Sequence, residues 1–465
     1  MTLVNLILVG VLIFLFVIMA FSLGIAATPH KNVILENTLP PDKLAAPETL
    51  ALAKEYKKRL WLTAGLCTLL SPLILLPAYE SVMMTLFWLL LLLPLAAFYG
   101  IEILYIRKMA ALKAAKGWRL AVEPIMVDTR LTATKNRQLL SVGWLLPPLL
   151  ATVALVIWLM VTDPDGSLIM SVTALCGWLL ALGCWYSVKR LPVAAPTDDS
   201  EVNRRYNDLT KNGWSKVAVA IAYGIVALFS FPTLAMSLSG TPAKIVSFLF
   251  FLAVFGCIFW CIGFLLALRK KQDALLARTE DFRYAGEDRY WRFGVYINPD
   301  DRRLMVPDRI GLNISMNLGR PAGKIIMSLI GLLLVGAMAM TLLPTYMMDF
   351  TKEPFTGEIK NGEIRLSAPL SGSSEIPVSQ LQKVELTEKL HGNVLRTNGY
   401  SGAYYQIGRF TVDGKQSVCY LDERSKPFLH LVTKERDYYF TFKDPAATRA
   451  FFEELRSAQI GENKK

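Results

Sequence analysis

Histidine is nearly missing from this sequence: His30, His391 and His430 are the only three in 465 residues. Charge is sparse as well, since Asp, Glu, Lys and Arg together make up 19% of a chain that is 53% hydrophobic. Ordinary soluble domains rarely combine the two. No P-loop and no Gly-x-Ser-x-Gly elbow occur, and no His, Cys and carboxylate residues fall at zinc-binding spacing. Without a nucleophile, base and orienting group within reach of one another, a catalytic reading has nothing to build on, and no cofactor is expected. Of the six cysteines, Cys67, Cys176, Cys184, Cys257 and Cys261 lie in apolar runs, where thiols behave as small hydrophobes. Cys419 alone falls in a polar region, which excludes a disulfide framework there. Cys257 and Cys261 share one helical face, but two thiols without further ligands form an incomplete metal site, and packing is the simpler reading.

Long hydrophobic runs, in contrast, are plentiful. Eight stretches, near 3–27, 60–79, 82–106, 140–162, 167–187, 217–238, 244–268 and 325–347, are long enough to cross about 30 Å of hydrocarbon as helices. The first reads as a signal anchor. No positive charge precedes it, and its apolar run exceeds the core of a cleavable signal peptide.

The connections alternate between long basic segments and short ones. Residues 28–59, 107–139, 188–216 and 269–324 carry six, eight, six and twelve Lys or Arg. The short connections "YES" (79–81), "DPDG" (163–166) and "SGTPAK" (239–244) carry one lysine among them. The positive-inside rule places the basic segments in the cytoplasm and both termini outside. The net charge of +12 therefore sits beside the bilayer, where it fixes orientation and meets anionic headgroups. From residue 350 onward 17 basic and 15 acidic residues nearly cancel. This distribution excludes nucleic acid as a partner and leaves the lipid bilayer as the expected one.

After the last run the pattern changes to short strands separated by turns: 356–360, 363–368, 381–387, 405–412, 417–421, 428–433 and 437–442. Asp413-Gly414 marks a hairpin. Asp444 is suited to cap a helix that begins with Pro445, and Ala447, Phe451 and Leu455 form its apolar stripe. The expected fold class is an α-helical polytopic membrane protein of about eight spans (1–347). A C-terminal α+β module (355–458) follows, a sheet or barrel capped by one helix, with a tail at 459–465.

The order of this module, with "NGYSGAYYQIGRF" at its centre, the "FTVDG" hairpin and the closing "DPAATRAFFEEL" helix, resembles bacterial pleckstrin-homology-like domains. The stretches "HKNVILENTLPPDKLAAPETLALAKEYKKRL" (30–60) and "YWRFGVYINPDDRRLMVPDRIGLNISMNLGRP" (290–321) resemble an uncharacterised family of bacterial multi-span proteins related to Sdp-type immunity and signalling proteins. The second stretch resembles a short domain of unknown function. The His–Asn–Gly pattern of the immunity relatives near the first span is missing here. The resemblance implies a membrane location and an architecture, without a reaction.

Residues 290–321 are read as a compact cytoplasmic element docked beneath the bundle, with Trp291, Tyr296, Asn298, Asp300, Asp301, Arg309 and Gly311 as its interaction residues. Its aromatics are expected at the headgroup boundary and Arg302, Arg303 and Arg309 at lipid phosphates or neighbouring loops. Asp300 and Asp301, with Asn298, supply fewer oxygens than Mg²⁺ or Ca²⁺ sites use. Glu102 is the one acidic residue placed inside a span, near its cytoplasmic end, where it can reach the interface or a basic partner. Residues 107–122 suit either a helix lying among headgroups or a solvated extension of the third span. The functional expectation is non-enzymatic: envelope sensing, scaffolding or immunity-type signalling, with a protein or peptide partner for the outer domain. A small-molecule or peptide transporter is the alternative, and a lipid-acting enzyme the third.

Overall fold

The computed structural model describes residues 3–118, 120–121, 135–162, 167–236, 238, 240–277, 284, 286–369, 371–390, 392 and 394–462. Among these, eight helices are long and apolar enough to cross a membrane. They are α1 (Leu3–Gly24), α2 (Pro47–Leu70), α3 (Glu80–Ala115), α4 (Leu146–Thr162), α5 (Ser167–Arg190), α6 (Ser200–Met236), α7 (Gly240–Leu276) and α8 (Pro321–Phe350).

Several helices run well past the apolar stretches visible in the sequence, always toward the basic segments. α2 begins 13 residues before position 60, and α6 begins at Ser200 rather than near 217. Hydropathy detects only the part of a helix that must face lipid. The overhangs persist because one stripe of each stays buried: Thr49, Ala53 and Tyr56 on α2, and Asn203, Tyr206, Asn207 and Lys211 on α6. The ammonium of Lys211 donates to the carbonyls of Val188, Lys189 and Leu191, satisfying carbonyls that the end of α5 leaves open. Residues 107–115 continue α3 without a break, and Trp118 packs against the first helix group.

The helices form two groups. α1, α2 and α3 share a core of Leu12, Phe16, Tyr56, Leu60, Phe98 and Tyr105. α8 lies beside α3, where the Trp88 indole donates to Thr341 Oγ1 at 2.8 Å. In the second group Trp185 of α5 packs on Ala218 and Ala222 of α6, and Val217 of α6 on Leu265 and Leu268 of α7. Gly213 permits the last contact, since a Cβ there would lie 2.4 Å from Leu268 Cδ2. The groups meet where the rings of Phe14 and Phe255 stack edge-on at 5.0 Å.

The C-terminal domain has two sheets. β5 (Thr356–Lys360), β6 (Glu363–Ser367) and β7 (Ser374–Pro377) form an antiparallel three-stranded sheet. β8 (Leu381–Thr387), β9 (Val394–Ser401), β10 (Tyr405–Val412), β11 (Lys415–Asp422), β12 (Phe428–Thr433) and β13 (Asp437–Phe440) form the larger one. Its order is β8-β12-β13-β11-β10-β9, with β11 and β13 parallel. Ile364, Leu366, Ile376, Tyr405, Leu429 and Phe440 fill the core beneath the closing helix α9 (Pro445–Glu462), which contributes Phe451 and Leu455. The Asp444 carboxylate accepts the Ala446 N–H at 2.9 Å, capping α9. Asp413 and Gly414 turn between β10 and β11 with φ of +51° and +83°.

Candidate functional site

At one end of the helix groups, residues 286–320 fold into a small unit with its own core. Trp291 is 1% exposed and Tyr296 4%, with ring centroids 5.2 Å apart, and Val306 completes the cluster. A hairpin, β3 (Met305–Pro307) and β4 (Ile314–Met316), carries it. Two asparagines close the loop. Asn317 is fully buried and donates to the carbonyls of Asn298, Asp301 and Arg303, while its Oδ1 accepts from Asn298 N and Gly319 N. Asn298 donates to the Tyr296 hydroxyl at 3.0 Å. Asp301 accepts from that hydroxyl and pairs with Arg303, and Asp300 is exposed. Among the described residues no group of three His, Cys, Asp or Glu is placed to hold a metal.

This unit is fastened to the N-terminal hairpin, β1 (Val33–Ile34) and β2 (Asn37–Thr38), and to α3. Arg309 donates to the Glu36 carbonyl at 2.7 Å and to Thr38, and it pairs with Asp288 at 2.7 Å. Asp288 also takes Lys113 of α3 at 2.8 Å. Burial by itself would raise the Asp288 carboxyl, but the Arg309 charge and the hydrogen bonds from Lys113 and Thr38 bring it below the usual range. Gly311, at φ +81°, lies under the His30 ring, where a Cβ would come within 2.7 Å of Nε2. His30 is 1% exposed and bonds Asp273 of α7 at 2.8 Å, which ties the two helix groups together. Burial lowers its imidazole to about 4 despite that bond.

One sequence expectation changes here. Trp291 and Tyr296 form the unit's interior, not headgroup anchors, because the short loop leaves them no other apolar partners. Of the two partners expected for Arg309, lipid phosphate or a neighbouring loop, it takes the loop, bonding Glu36 and Thr38. Glu102 is 9% exposed, and its carboxyl lies against Gly294, where a Cβ would be 3.3 Å away. Arg107 is not its partner but sits over the Phe293 ring at 5.3 Å. His391 and the 163–166 connection lie outside the described residues.

At the other end of α3 a second joint holds the C-terminal domain. The fully buried Glu80, in the helix's first turn, accepts the Tyr400 hydroxyl and the N–H groups of Ala403 and Tyr404, the last two at 2.9 Å. The β9–β10 hairpin tip reaches it because Gly402 has no side chain; a Cβ would fall 1.5 Å from Glu80 Oε1. Beside it Asp349 of α8 accepts from Ser81 N at 2.7 Å and the Tyr405 hydroxyl at 2.8 Å. Arg424 donates to the same hydroxyl and lies over the rings of Tyr404 and Tyr405. Reading "YES" as a mere connection hid Glu80. The one signal near it was a lone carboxylate between two apolar runs, which does not name its partner.

Comparison with known families gives three matches. A model described as bacterial PH domain matches residues 357–459. One described as a protein of unknown function (DUF4013) matches 167–271, from α5 into α7. A family of unknown function (DUF5808) matches 299–324, most of the docking unit and the first turn of α8. None of these is an Sdp-type family. No curated protein matches the chain, and no solved structure does. The matches support a PH-like C-terminal domain on a chain with eight apolar helices, and they assign it no reaction.

Proposed function

We propose that this is a non-enzymatic protein of the bacterial cytoplasmic membrane, in which an extracytoplasmic PH-like domain senses or scaffolds an envelope protein or peptide and communicates with a docking unit on the cytoplasmic face. The observation that carries this reading is the double attachment of α3. Its 36 residues span about 54 Å at 1.5 Å per residue, well beyond the hydrocarbon core. Glu80 at one end grips the C-terminal domain, and Tyr99, Ile106 and Lys113 toward the other touch the docking unit or the hairpin it holds. A displacement of the domain is thus transmitted along one continuous helix. The surplus of Lys and Arg at the docking end favours the cytoplasm for that side. Transport is less favoured, because Glu102 is covered by Gly294 instead of opening onto a path between the spans.

Cysteine labelling with an impermeant reagent tests the orientation. Cys419 is fully buried, so exposed positions serve better. Lys360→Cys should react in intact cells and Asp300→Cys only after permeabilisation; the reverse pattern overturns the orientation. Communication is tested by amide hydrogen exchange. Glu80→Ala should speed exchange in residues 290–318, and unchanged exchange there rejects the relay.

A further inference from the structure

We propose that the cavity between the inner end of α3 and residues 286–293 binds the phosphate headgroup of an anionic phospholipid. The cavity is about 790 Å³. Arg107, Arg289 and Arg292 line it, all three exposed. Among the described residues none of the three has a carboxylate partner; Arg107 lies over the Phe293 ring at 5.3 Å and Arg289 over the Tyr290 ring at 4.6 Å. The neighbouring acid, Asp288, is already neutralised by Arg309 and Lys113. Among the described residues the site therefore offers three guanidinium groups without a carboxylate partner, whose fork geometry suits phosphate oxygens.

Its position suits a lipid. The Tyr99 hydroxyl donates to the Phe293 carbonyl at 2.7 Å, which places the rim beside the last apolar turns of α3. Phe293 is 40% exposed there, an aromatic at the depth where acyl chain gives way to headgroup. Basic pockets beside spanning helices are recognised headgroup sites. Glu36, also lining the cavity, is 2% exposed and its Oε2 has no hydrogen-bond partner. Burial, then the Asp308 charge, push its carboxyl well above the usual range. A neutral acid there does not repel phosphate, and it can donate to a phosphate oxygen or accept a glycerol hydroxyl. Arg309, read from the sequence as meeting lipid phosphate or a neighbouring loop, takes the loop, and the lipid-facing role falls to Arg107, Arg289 and Arg292. The inference rests on the membrane reading of the helices, not on the sensing role, and holds for either orientation.

The test is native mass spectrometry and titration of the full-length protein in detergent with phosphatidylglycerol, phosphatidylcholine, glycerol phosphate and inorganic phosphate. Phosphatidylglycerol should bind in preference to phosphatidylcholine. Each of Arg107→Gln, Arg289→Gln and Arg292→Gln should weaken it about fivefold, and the triple variant about 100-fold, while Arg365→Gln in the C-terminal domain changes nothing. A monodisperse protein with unchanged thermal unfolding establishes that each variant is folded, and Arg292→Gln alone suffices should the triple variant misfold. Equal retention of phosphatidylglycerol by the Arg292→Gln variant, or equal binding of phosphatidylcholine, overturns the site. Displacement of the lipid by equimolar glycerol phosphate or inorganic phosphate overturns the lipid assignment.

Discussion

The backbone N–H of Ala403 donates to Glu80 Oε1 at 2.9 Å, although the two residues are 323 positions apart. One carboxylate thus receives three donors from a domain encoded at the other end of the chain. Glu80→Ala leaves those donors buried and unpaired, an effect expected to cost about 3–5 kcal/mol at the joint. Limited proteolysis should then cut near residues 351–356 and release a folded fragment of the C-terminal domain. Gly402→Val should do the same from the opposite side by steric conflict with the carboxylate. Because both break one joint, the double variant should be scarcely worse than either single one. Additive losses would mean that Glu80 and Gly402 act separately.

Arg309 and Asp288 form the corresponding joint at the other end. Arg309 is 7% exposed and also holds the Glu36 carbonyl. Arg309→Met leaves Asp288 with Lys113 and Thr38 but without its guanidinium partner and should lower stability by about 3–5 kcal/mol. Arg309→Lys should recover little of it, since an ammonium cannot reach Asp288, Thr38 and the Glu36 carbonyl together as the guanidinium fork does. Thermal unfolding in detergent measures both. Full stability in the lysine variant would reduce the joint to a simple charge.

The spans and most strands were legible because each depends on a local pattern. Four strands, 356–360, 381–387, 405–412 and 428–433, fall where alternation placed them. β7 and β9 do not announce themselves. β7 buries only Ile376 of its four residues, and β9 has no apolar alternation, being ordered by pairing with β10 through Gly399 opposite Gly408. The joints were hidden for the same reason at longer range. Nothing near Asp288 signals Arg309, Thr38 and Lys113, and nothing near Glu80 signals Ala403. Such groups become partners only once the helices stand side by side, and a single sequence carries no trace of that pairing.

Asn317 tests whether the docking unit is held by its polar interior. It donates to three carbonyls and accepts from two N–H groups while fully buried. Asn317→Ala should cost about 2–4 kcal/mol by leaving those groups unpaired. Asn317→Asp, nearly the same shape, should be no better, because a carboxylate faces three carbonyl oxygens it cannot donate to. Faster hydrogen exchange confined to residues 296–319 would locate the damage. Loss of exchange protection across α3 and the C-terminal domain as well would show that the unit has no stability of its own.

The stability of the junction between the docking unit and the two helix groups should depend on acid through His30. Its imidazole is lowered from 6.5 to about 4 in the folded chain, by burial first and then by Lys31 and Arg269, against the pull of Asp273. The unfolded chain therefore binds the proton more readily between those values. The stabilising contribution is complete above pH 6.5 and is lost as the pH falls toward 4, by about 3 kcal/mol at most. Glu36 and Asp308 work in the opposite direction. Their carboxyls are raised by burial, so they favour the folded form in acid and lose that contribution as the pH rises. The slope of the wild-type curve mixes these effects, and the difference between wild type and His30→Gln isolates one of them. Glutamine keeps a donor toward Asp273 but cannot titrate, so melting temperature between pH 7 and pH 4 should fall less steeply in the variant. Parallel curves would mean that His30 takes up its proton without leaving the fold, which the contact with Gly311 and the ring's burial argue against.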